Sequence, residues 1–90
     1  MNIVRYTKIN ISQLRLTIFC YVIVENNSLV FINRINRKTR RKIGNPMVLS
    51  LLSNRLNNRK TIAESETLLK QWRFDYQEVI EDLIEEGYFE

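Results

Sequence analysis

Ninety residues carrying 14 Lys and Arg, 10 Asp and Glu, and 44% hydrophobic side chains make one folded domain of net charge +4, which excludes a disordered or Pro-rich chain. The absence of His removes the commonest general base and metal ligand, and one Cys makes neither an internal disulfide nor a thiolate metal cluster. The longest apolar run, residues 16–24, is well short of the about 20 residues that span a bilayer, and no small-residue cleavage site follows it.

Residues 3–11 show a weak alternation that fits a first strand. Residues 14–25 are apolar on both alternations, the pattern of a strand covered on both faces. Asn26-Asn27-Ser28 supplies a turn, because Asn tolerates positive φ, and residues 29–35 resume as the second arm of a β-hairpin. A third strand at 39–43 pairs back through a basic turn at 36–38. Tyr6, Phe19, Tyr21 and Phe31 read as core side chains rather than base-stacking platforms, because a thin domain needs its aromatics inside. Cys20, mid-strand, reads as a small buried hydrophobe.

The second half reads as helix. Asn45 serves as N-cap and Pro46 as first helical residue, with Val48, Leu51, Leu52 and Leu56 at helical spacing. Thr61 and Glu64 form a capping box opening a second helix that carries Ile62, Leu68, Leu69 and Trp72. Asp75 and Glu78 form another, with Phe74 and Val79 as its hydrophobic staple. The third helix places Tyr76, Val79, Ile80, Leu83 and Ile84 on one stripe, and Gly87 ends it. The expected fold is α+β: one domain over residues 1–90, with a small antiparallel sheet in 1–44 followed by three helices in 45–90.

Charge is segregated along this order. Residues 1–60 hold 12 basic residues against Glu25 alone, and residues 61–90 hold nine acids against Lys70 and Arg73. Six cations crowd residues 34–42, which points to phosphate contacts from Arg34, Arg37, Lys38, Arg40, Arg41 and Lys42. Arg55, Arg59 and Lys60 extend the patch or complement a helix dipole. An acidic protein is the other partner such a run suits, and a solvated charge run is the plain alternative. Glu78, Glu81, Asp82, Glu85 and Glu86 line the exposed face of the third helix. They repel phosphate, so that helix is not a DNA-recognition helix; they suit a basic protein partner or the chain's own basic arm.

Nothing assembles into an active site: no paired Cys, Gly-rich phosphate loop or nucleophile with a base is present. The expectation is therefore a small non-enzymatic nucleic-acid-binding accessory protein, DNA or RNA undetermined, without metal or cofactor. The alternative is a protein–protein module docking through the acidic helix. Both are read as intracellular, cytoplasmic proteins, with an Asn-, Ile- and Lys-rich composition of plastid, plasmid or phage type. A homodimer follows if Phe31 and its neighbours lie on an uncovered sheet face.

Overall fold

The computed structural model of the chain describes residues 8–90. In order they form α1 (Lys8–Gln13), β1 (Cys20–Glu25), β2 (Ser28–Asn33), β3 (Lys38–Ile43), α2 (Pro46–Asn57), a short 3-10 turn (Ala63–Ser65), α3 (Glu66–Trp72) and α4 (Tyr76–Glu85). The sheet is antiparallel with order β1-β2-β3. The α+β reading holds.

Local chemistry accounts for the two turns of the sheet. Asn26 and Asn27 sit at φ 52° and 60° between the paired residues Glu25 and Ser28, a two-residue turn whose twist matches that of the strands. Between β2 and β3, the Asn33 side-chain oxygen accepts from Ile35 N at 2.9 Å and the Asn36 oxygen accepts from Lys38 N at 3.0 Å. Those Asx bonds fold the backbone over so that Arg37 takes φ 61° at the tip.

Register divides the sheet into two unlike faces. Val22, Phe31 and Arg40 are paired across the three strands, as are Tyr21, Ile32 and Thr39, and paired residues share a face. The first face, with Cys20, Val22, Leu29 and Phe31, packs on Leu49, Leu52 and Leu56 of α2, Leu69 and Trp72 of α3, and the stripe of α4. Phe31 is fully enclosed, its ring 6.1 Å from Tyr88, 6.2 Å from Phe89 and 6.5 Å from Trp72. Cys20 is buried, as expected of a small hydrophobe. The opposite face leaves Phe19 49%, Ile23 40% and Ile43 72% exposed.

Several expectations are corrected. Residues 8–11 are helical rather than strand, and the remainder of the predicted strand at 3–11, with Tyr6, lies outside the described residues. The strand predicted over 14–25 begins only at Cys20. Residues 15–17 pair instead with residues 88–90: Arg15 and Glu90 exchange backbone bonds of 3.0 and 2.9 Å, and Thr17 N donates to Tyr88 O at 3.0 Å. Coverage on both faces fails for β1, and Phe19 lies on the open face, with Tyr21 there half-buried, while Phe31 lies on the covered one. The homodimer argument built on an exposed Phe31 therefore loses its premise.

The helix signals fare unevenly. Asn45 caps α2 through Met47 N at 2.9 Å. The Thr61–Glu64 box is made in both directions, at 2.8 and 3.1 Å, but it opens the 3-10 turn, and α3 starts only at Glu66. These Thr61 bonds favour the ionised Glu64 carboxylate and hold its pKa below the usual value. Asp75 does not cap α4. Its carboxylate takes the Arg73 guanidinium at 2.8 Å, and Phe74, expected to staple onto Val79, is 98% exposed.

Both long helices close with the same motif. Tyr88 N reaches Leu83 O and Gly87 N reaches Ile84 O, each at 3.0 Å, with Gly87 at φ 88°. On α2 the matching bonds run from Lys60 N to Arg55 O and from Arg59 N to Leu56 O, with Arg59 at φ 60° where α4 has Gly. Arg59→Gly is expected to stabilise the domain by about 1 kcal/mol by removing the left-handed Cβ penalty; urea unfolding measures it, and a loss of stability would show that the Arg59 side chain contributes more than its backbone costs.

Candidate functional site

Five of the nine predicted phosphate-binding cations are engaged on the sheet or at the helix end, Arg59 among them through a 3.2 Å bond to Asn57 O. The Arg34 guanidinium lies 4.7 Å from the centre of the Tyr21 ring. Arg40 pairs with Glu86 at 2.8 Å, Arg41 pairs with Glu25 at 2.9 Å, and Arg55 donates to Glu64 O at 3.3 Å. Arg37, Lys38 and Lys42 make no ion pair with the described residues. Strand alternation sends Lys38, Arg40 and Lys42 to the helix side of β3 and Arg41 to the open side. Arg55, Arg59 and Lys60 sit at the end of α2, which the Asn57 bonds described below fix against β1. The nine are therefore spread over three places: Arg34 over Tyr21 of β1, Arg37 to Lys42 on β3 and the turn before it, and Arg55, Arg59 and Lys60 at the end of α2.

The acidic residues are likewise divided. Glu78, Glu81, Asp82 and Glu85 of α4 are exposed, whereas Glu86 is half-buried against Arg40. Arg40–Glu86 is the ion pair that ties the basic strand to the acidic helix. Through this contact the acidic end screens one cation of the basic arm.

The two sheet edges differ in kind. On β1, the Asn57 amide holds Val22 from both sides, accepting from its N–H and donating to its C=O at 2.8 Å each. One side chain so imitates a neighbouring strand at the middle of that edge. On β3, the bond from Gly44 N to Asn27 O sets the phase of the ladder. Alternation then directs the N–H and C=O of Thr39, Arg41 and Ile43 outward, and no described residue bonds them. Near this strand stand Glu86, paired with Arg40, and Asp75, which feels the Lys42 charge. The Asp75 carboxyl is held below its ordinary pKa first by the Arg73 hydrogen bond, with a smaller contribution from the Lys42 charge.

The chain matches no protein-family model, no curated protein and no solved structure. Its function is therefore argued from this geometry. No group of three or more Cys, Asp or Glu among the described residues is placed to hold a metal ion, and no described helix is long and apolar enough to cross a membrane.

Sequence reasoning marked the cations of β3 but not the backbone that carries them. Asn57 was missed because an Asn near a helix end reads as ordinary polar punctuation. Its partner lies 35 positions away, and no local pattern reports such a pairing.

Proposed function

We propose that the chain is a non-enzymatic, intracellular binding module that receives an extended acidic segment of a partner as a fourth strand along β3. The carrying observation is the asymmetry of the edges: Asn57 occupies the middle of the β1 edge at Val22, while Thr39, Arg41 and Ile43 of β3 all present outward backbone groups. Strand addition draws affinity from the main chain and specificity from flanking side chains. Lys38 and Lys42 suit acidic residues on one face of the incoming strand, and exposed Ile43 suits an apolar residue on the other. The exposed acids Glu78, Glu81 and Asp82 take no part in this reading.

A second reading, nucleic-acid binding by the β2–β3 arm, is favoured by the open face, where Arg34 lies over Tyr21 and Phe19 and Arg41 share the same face. Rings next to cations on an open sheet suit splayed single-stranded bases.

One titration separates the two. Fluorescein-labelled (Glu-Val)6 peptide, single-stranded DNA, RNA and duplex DNA are each followed by anisotropy across a salt series. Thr39→Pro deletes an outward N–H and leaves the β2–β3 ladder intact, since edge strands tolerate Pro there. Strand addition predicts peptide binding that Thr39→Pro weakens about tenfold or more, one lost main-chain bond plus the steric block. Peptide binding indifferent to Thr39→Pro, or none, overturns it. Oligonucleotide binding abolished by the triple change Arg34→Ala, Arg37→Ala and Arg41→Ala, yet unaffected by Thr39→Pro, establishes the second reading instead.

A further inference from the structure

A half-open cavity of about 220 Å³ lies between α1, the 3-10 turn and α4, away from the β3 edge. Ile11, Ile62 and Ile80 contribute its apolar surface, Tyr76 is buried in its wall, and Glu66 and Glu81 supply the charge. In a chain of net charge +4, no Lys or Arg is among the described residues that line it.

The polar groups are arranged around one carboxylate. The Tyr76 hydroxyl donates to Glu66 Oε2 at 3.2 Å. Burial, followed by the Glu66 charge, pushes the Tyr76 phenol above its ordinary pKa, so it stays a neutral donor that keeps the carboxylate in place. Lys70 reaches the same oxygen only at 3.9 Å from a mostly exposed position, a solvent-screened contact that a cation held inside the cavity displaces at little cost. The Tyr76 ring adds an aromatic surface of the kind that attracts ammonium groups.

We propose that this cavity binds an organic cation consisting of a primary ammonium on a short apolar stem. The stem lies against Ile11, Ile62 and Ile80 and the ammonium meets Glu66 and Glu81. An apolar cavity of about 150 Å³ already accepts benzene, so this one holds an aryl or alkyl group with its charged end toward the mouth. The same chemistry is offered by a free amine and by a lysine side chain of a basic protein.

The test is a titration of the ¹⁵N-labelled protein with phenethylammonium chloride, read by amide chemical shifts, with phenylacetate and 2-phenylethanol as the anionic and neutral isosteres. Saturable shifts centred on Ile62, Tyr76 and Ile80 are expected with the amine, and affinity at least tenfold weaker for both isosteres. Glu66→Gln, at an exposed position that leaves the fold intact, is expected to remove that preference while neutral binding persists. A parallel titration with Nα-acetyl-lysine amide distinguishes the sources: tighter binding than the amine assigns the site to a protein side chain, and weaker binding assigns it to a free amine. Absence of saturation with both cations, equal affinity for amine and alcohol, or shifts centred elsewhere overturns the proposal.

Discussion

Phe31→Ala is expected to cost the domain about 3–5 kcal/mol, the range for emptying a large aromatic site in a packed core. A 90-residue chain has about 5–13 kcal/mol of total stability at the usual per-residue values, so the variant retains little margin. Phe31 is fully enclosed and is the ring that Trp72, Tyr88 and Phe89 all approach, at 6.5, 6.1 and 6.2 Å. Its loss thus disconnects β2 from α3 and from the C-terminal strap in one step. Trp72 fluorescence during urea unfolding reads the change directly. A loss below about 1.5 kcal/mol, the cost of trimming a single methylene, would place the centre of the core elsewhere.

Gly44→Val is expected to destabilise by about 3 kcal/mol, the upper end of ordinary overpacking. Gly44 is required for space rather than for backbone freedom. A Cβ there would stand 2.5 Å from Trp72 Cδ1, 2.6 Å from its Nε1 and 2.8 Å from Leu49 Cδ2. The buried indole N–H of Trp72 has no acceptor among the described residues. The residue cannot back away, because Gly44 N is bonded to Asn27 O at 3.0 Å and Asn45 caps α2 immediately after it. Thermal melting is expected to fall by about 15 °C for a domain of this size. Trp72→Phe in the same chain is expected to recover part of the loss, since it removes the indole nitrogen. A wild-type melting temperature for Gly44→Val would mean that the β3–α2 junction yields more readily than its bonds imply.

What could be read in advance followed from how local the cause was. The stripe Tyr76, Val79, Ile80, Leu83 and Ile84 is buried as its spacing requires, and Asn26-Asn27 turns the chain where two residues tolerant of positive φ stand together. Residues 14–19 misled because an apolar stretch reports burial without reporting its partner. Leu16 is buried by bridging to Phe89, not by extending β1. The Asp75–Glu78 box failed because Arg73, two residues away, offers Asp75 a full charge, a stronger partner than a helix N–H. For the candidate site, the density of cations was visible but not their division between the sheet and the end of α2. That division depends on strand order and on the α2–β1 docking through Asn57, both of which are tertiary.

The strap joining residues 15–17 to residues 88–90 has a kinetic consequence. Its two halves are about 75 positions apart, and closing a flexible loop of that length costs about 4 kcal/mol of chain entropy. The sheet hairpins and helices close far shorter loops and are expected to assemble first. Leu16 and Phe89, which bridge one another in the strap, meet only when it closes. The strap is therefore expected to close last, after the local hairpins and helices have formed.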